Sequence, residues 1–165
     1  MARLLYPDLY YDTLFDIPLV QLKKRGIKGI IVDLDNTITH WNSREITEEV
    51  CAWFEQVEKL GLKACILSNN GEKRVLEVAE KLNLPYIHKA QKPRRFAFYL
   101  AVERMGLKKE ETAMIGDQIF TDVLGGNRAG LITILVTPLG KKEFVGTKIS
   151  RLLETFILRR LFKNQ

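Results

Sequence analysis

The sequence predicts an α/β fold, an open parallel sheet with helices on both faces in three layers. Short apolar, β-branched runs alternate with longer segments of helical period. Several of those runs end in carboxylates, amides or a hydroxyl, as strands do where an open parallel sheet binds its ligands. Taken in order, Asp8 to Arg25 reads as one or two helical turns interrupted by Pro18. The strands expected are Gly29 to Asp33, Lys63 to Ser68, Pro85 to Ile87, Thr112 to Gly116 and Ile132 to Val136, about five in all. Helical periodicity covers Thr47 to Leu60 with Thr47 as N-cap, Glu72 to Leu82, Arg95 to Met105, and a short stretch from Phe120 to Arg128. Gly61, Gly106 and Gly130 stand where C-terminal caps are expected. After the break at Thr137 to Gly140, residues 148–163 have a helical but imperfect apolar stripe: Leu158 and Phe162 fall off it and Arg160 falls in it. The division expected is residues 1–140 as one domain, and 141–165 as a basic, apolar C-terminal helix of that domain or facing a membrane.

Composition narrows the class. A 165-residue chain with 46% hydrophobic and 28% charged residues is long enough for one domain with its own core and too apolar for disorder. No apolar run approaches the ~20 residues a bilayer helix needs. Residues 1–11 carry Asp8 and three tyrosines where a secretory leader would be uninterruptedly apolar, so a cytoplasmic location is the expectation. The formal charge of +6 is unevenly spread: residues 141–165 hold seven basic and two acidic side chains, and the remainder is close to neutral. That neutral body disfavours nucleic acid as partner. Cys51 and Cys65 are too far apart for a redox or zinc pair, and Cys65, inside an apolar run, reads as a buried hydrophobe. His40 and His88 are isolated, which leaves a histidine metal site without support.

The chemistry sits at the strand ends. The first strand ends in Asp33-Leu34-Asp35-Asn36-Thr37, the second in Ser68-Asn69-Asn70, and the fourth in Gly116-Asp117-Gln118, with Asp122 soon after. Lys92 follows the third strand and can reach the same edge. Two carboxylates at i and i+2 leaving a buried strand repel unless a proton or cation intervenes. Oxygen-only ligation by Asp33 and Asp117 favours a hard ion that keeps several waters, hence Mg²⁺. With the Ser68 hydroxyl and the Lys92 ammonium, the set suits the oxygens of a transferring phosphoryl group.

These residues resemble the four motifs of the haloacid dehalogenase (HAD) superfamily of phosphatases over about residues 28–136: DxDxT at Asp33 to Thr37, Ser68, Lys92, and the acidic pair Asp117 and Asp122. Together with Tyr6 to Tyr10, Gly26 to Ile30, Lys89 to Pro93 and Gly116 to Asn127, the pattern is similar to the YqeG-type subfamily IIIA phosphatases over nearly the whole chain. The resemblance implies a Rossmann-like HAD fold and an aspartyl-phosphate route, with Asp33 as nucleophile and Asp35 as acid and base. It further implies Mg²⁺ on the Asp33 and Asp117 side chains and the Asp35 carbonyl, and Ser68, Asn69 and Lys92 on the phosphoryl oxygens. Thr37 and Asp122 would support them, Asp122 by orienting Lys92 or a metal-bound water.

Only 30 residues separate Thr37 from Ser68, and 23 separate Ser68 from Lys92, so no cap domain fits and the site is open to bulky substrates. That group is similar to phosphatidylglycerophosphate phosphatase, which makes this lipid phosphate the substrate expected. The alternatives are a nucleic-acid 3′ end, a phosphoprotein or a soluble metabolite, and, in another class, a non-catalytic scaffold in ribosome or membrane assembly.

Asn36 and Asn70 are expected to hold loops, the Gly125-Gly126-Asn127 stretch to serve packing and a turn, and Trp41 to pack. For Arg94 and Arg95, a second phosphate site and plain exposed helix-start cations stand equally open. The basic C-terminal helix, joined by Tyr10, Tyr11 and Phe15, would face an anionic membrane and place the enzyme peripherally on the inner leaflet, if it does not dock on its own domain.

Overall fold

The computed structural model describes residues 2–140 together with Thr155 and Arg159. The expected C-terminal helix therefore lies outside the described residues, apart from those two exposed helical positions.

Among the described residues, six parallel strands form one sheet: β1 (Leu9–Tyr11), β2 (Gly29–Val32), β3 (Lys63–Leu67), β4 (Tyr86–Ile87), β5 (Thr112–Gly116) and β6 (Ile132–Val136), in the order β1-β6-β5-β2-β3-β4. The sixth strand corrects the expectation of five. Leu9–Tyr11, within the expected helical lead-in, instead pairs with Ile134 to Val136 at the sheet edge, and Asp8 fixes the register through Thr133. Three residues are too short for a periodicity to register.

Among residues 2–140, five α-helices cover the sheet: α1 (Leu19–Lys24), α2 (Glu48–Lys59), α3 (Glu72–Leu82), α4 (Arg95–Arg104) and α5 (Leu124–Ala129). In α2 the Thr47 hydroxyl accepts from the Val50 amide, Glu48 and Glu49 complement the helix dipole, and Val50, Trp53, Phe54 and Val57 bury one face. Gly61, at φ +72°, ends it in the left-handed region expected of a C-terminal cap. The last helix departs from expectation, because a π-helical turn, Ile119–Val123, precedes α5.

Alternation along the strands builds two cores. Ile30, Val32, Ala64 and Ile66 face Trp53, Phe54, Val75 and Val78 on one side. Ile31, Cys65, Leu67 and Met114 face Phe98, Ala101, Val102 and Met105 on the other. Cys65 is buried as expected, and burial pushes its thiol up to about 12. Gly125 and Gly126 are also packing residues: a Cβ on the first would strike Phe98, and on the second would lie 2.7 Å from Thr133. No helix among the described residues is long and apolar enough to cross a membrane.

Candidate active site

Strand order reverses at β2, which has β3 on one side and β5 on the other. A crevice opens at the carboxyl ends of strands at such a switch point. Asp33 and Asp117 emerge there side by side, and the Asp33 amide donates to the Ile115 carbonyl at 2.9 Å. Asp122 joins them from the π-helical turn. Gly116 leaves the space it occupies, since a Cβ there would collide with the Asp122 carboxylate. One Asp122 oxygen accepts from the Gln118 amide at 3.1 Å.

Lys92 enters this group from the loop after β4. Asn69 clamps its backbone, accepting from the Lys92 amide at 2.8 Å and donating to its carbonyl at 3.4 Å. The ammonium donates to Asp33 Oδ1 at 2.6 Å, Asp122 Oδ1 at 2.7 Å and the Leu67 carbonyl at 3.1 Å, so all three of its protons are used. Both ion pairs are buried. Burial raises the Asp33 carboxyl, Lys92 opposes that shift, and the neighbouring Asp122 charge adds to it, leaving the group at about 6. Burial works to lower the Lys92 ammonium, but the two carboxylates outweigh it and hold the group above its ordinary value.

Oxygens of Asp33, Asp117 and Asp122 lie within 4.8 Å of one another, and all three residues are buried. Three hard donors so close could hold a divalent cation. Thr37 supports them by donating to Asp117 Oδ1 at 3.3 Å. Ser68 is buried at the end of β3, its hydroxyl accepting from the Asn70 amide at 3.1 Å.

Asp35 has different company. Arg74 from α3 pairs with its Oδ1 at 2.5 Å, the Asn42 amide donates to the same oxygen at 3.1 Å, and the Asn70 side-chain amide donates to Oδ2. Arg74 also grips the flap, donating to the Ser43 carbonyl at 2.9 and 3.1 Å. Sequence reasoning missed Arg74 and gave Asn70 a loop-holding role only. A signal for Arg74 existed: it falls on the same buried stripe of α3 as Val75 and Val78, where an unpaired charge would be costly. Asn36 holds its loop as expected, at φ +58°. Trp41 does not pack as expected; it is exposed on the flap.

The fold therefore brings Asp33, Lys92, Asp117 and Asp122 into one buried cluster, with Thr37 and Asn69 supporting it. A cleft of about 510 Å³, lined by Cys51, Phe54, Leu62 and Arg104 among others, contains none of these residues. A family model described as HAD-hydrolase-like matches residues 89–143. The chain is 44% identical over 161 residues to a probable phosphatase, YqeG, of Bacillus subtilis (strain 168), covering 98% of this chain and 94% of that protein. The chain belongs to the YqeG-type HAD phosphatases. This HAD phosphatase is also 28% identical over 151 residues to phosphatidylglycerophosphate phosphatase 1, chloroplastic/mitochondrial, of Arabidopsis thaliana, across 84% of this chain and 43% of that protein. Its fold is similar to that of the cobalt-bound deoxy-D-mannose-octulosonate 8-phosphate phosphatase of Haemophilus influenzae, with a TM-score of 0.56, 18% identity, and coverage of 69% and 70% of the two chains.

Proposed function

We propose that this HAD phosphatase is a Mg²⁺-dependent phosphomonoester hydrolase that works through an aspartyl-phosphate on Asp33 and takes phosphatidylglycerophosphate as substrate. The observation that carries the reading is the buried set of Asp33, Lys92, Asp117 and Asp122 at the strand-order switch. Residues 1–140 would form the catalytic domain. Asp33 and Asp117, with the Asp35 backbone carbonyl, would hold Mg²⁺, which when bound supplies positive charge between the nucleophile and an anionic phosphate.

An Asp33 carboxylate oxygen attacks phosphorus in line, and the bond from phosphorus to the ester oxygen breaks as the new bond forms. Asp35, protonated, gives its proton to the departing oxygen. The Lys92 hydrogen bond that Asp33 accepts then passes to a phosphoryl oxygen, with Ser68 as a second donor. Asp122 and Asn69 keep Lys92 in place meanwhile. Water next attacks phosphorus and loses its proton to Asp35. The bond to Asp33 breaks, releasing inorganic phosphate and restoring both carboxyl groups.

Lipid substrate is favoured by the likeness to the Arabidopsis enzyme and by the short flap, residues 38–47, which stands where an enclosing domain would be. The test is phosphate release, with and without Mg²⁺, from phosphatidylglycerophosphate, nucleotides, sugar phosphates and phosphopeptides. We expect Mg²⁺-dependent turnover of the lipid at least about tenfold above the others in kcat/KM, a preference of about 1.4 kcal/mol. Turnover of a soluble phosphate without the lipid would overturn the substrate and keep the chemistry. Undiminished release by Asp33→Asn would overturn the mechanism.

A further inference from the structure

Strands that all run in one direction send every residue that follows them to one edge. Four of the eight exposed large apolar side chains among the described residues lie on the flanks of the site at that edge. On one flank, Asn36 ties two of them together: its side-chain oxygen accepts from the Trp41 amide at 3.2 Å and its carbonyl from the Leu139 amide at 2.9 Å. Tyr10 joins through its hydroxyl, 2.7 Å from that of Thr137. All three side chains are about two-fifths exposed. On the other flank, Phe96 in the first turn of α4 is 76% exposed, the most open of the exposed large hydrophobics among the described residues.

The charge on that second flank is of one sign. The loop and helix start at 88–96 hold Lys89, Lys92, Arg94 and Arg95 and no carboxylate, and all but Lys92 are exposed. The described chain reaches Gly140 beside His40 on the first flank, and the sequence onward from there carries seven basic side chains against two acidic. Basic sequence of that kind complements neither Lys89, Arg94 nor Arg95. An anionic surface complements both.

We propose that the catalytic edge itself docks on an anionic lipid bilayer. Trp41, Leu139, Tyr10 and Phe96 would sit at headgroup depth, and Arg94 and Arg95 on lipid phosphates. The proposal rests on the lipid-phosphate reading above and gives it a geometry: the membrane face and the active-site mouth are one surface.

The chain's two tryptophans test it directly, because Trp41 is 39% exposed and Trp53 is 4% exposed. Full-length protein is mixed with vesicles of phosphatidylglycerol and phosphatidylcholine carrying brominated acyl chains. We expect a blue shift and quenching of tryptophan emission that Trp41→Phe abolishes. A Phe96→Ser, Arg94→Gln, Arg95→Gln variant should lose at least about tenfold in vesicle affinity and keep its hydrolysis of soluble para-nitrophenyl phosphate. Binding with Trp41 unquenched, or equal binding to purely zwitterionic vesicles, would overturn the proposal. So would self-association without vesicles that Phe96→Ser removes, which would make the occupant a second copy of the chain. Quenching without hydrolysis of phosphatidylglycerophosphate would sink the substrate reading and leave docking intact. Hydrolysis without quenching would do the reverse.

Discussion

Asp33 and Asp35 are two residues apart on one strand end, yet one faces a lysine inside the molecule and the other an arginine at the base of the flap. Asp33 shares the Lys92 ammonium with Asp122, among carboxylates and away from water. Asp35 is held by Arg74, Asn70 and the Asn42 amide, at the flap and less deeply buried than Asp33. The contrast matches the division of labour proposed for them. A nucleophile gains from a fixed position inside the site, whereas a group that must both give and take a proton must reach the departing oxygen and the incoming water at its mouth.

The largest effect should fall on turnover. Asp33→Asn should lose at least about 10⁴-fold in kcat, since its neighbours Asp117 and Asp122 are given other roles, on the metal and on Lys92. Asp35→Asn should lose about 10²–10⁴-fold on an alkyl phosphate and less on para-nitrophenyl phosphate in the first step, because that leaving group departs without a proton. Rapid-quench measurement of phosphoenzyme would sharpen the contrast: it should accumulate in Asp35→Asn and be absent in Asp33→Asn. Equal losses on both substrates in both variants would erase the distinction.

Stability should separate the two regions next. Lys92→Met leaves Asp33 and Asp122 buried without their shared cation and should cost about 3–5 kcal/mol by urea unfolding with a chelator present. Arg74→Met frees Asp35 and the Ser43 carbonyl nearer the surface and should cost about 1–3 kcal/mol. A reversed order would show that the flap, rather than the switch point, secures this edge. Gly116→Ala should cost no more than Arg74→Met. Its added methyl group must push Asp122 aside, at about 1–3 kcal/mol, with a loss of kcat that Gly126→Ala, whose methyl group would meet Thr133 and Met114 instead, does not share.

Legibility followed the range of the interaction. The helix α3 has the bounds that periodicity predicts, and α2 and α4 come within a residue of them, because burial of one face is written every three or four positions. The carboxylates were legible because a polar residue ending an apolar run has few structural explanations. Arg74 was not, because its partner lies 39 positions earlier and nothing in its own helix names Asp35. Trp41 was misjudged for a related reason: an aromatic side chain defaults to packing, and only the geometry of the flap leaves it in solvent.

The edge strand β1 carries a consequence for synthesis. It leaves the ribosome before the other described strands, yet its neighbour in the sheet among the described residues is β6, the last of them, and the bonds between Asp8 and Thr133 span 125 positions. At about 5–20 residues per second, the opening segment waits roughly 6–25 s for the strand it pairs with. The tyrosines and leucines around it must stay unaggregated for that interval, because the partner that completes its place in the sheet does not yet exist.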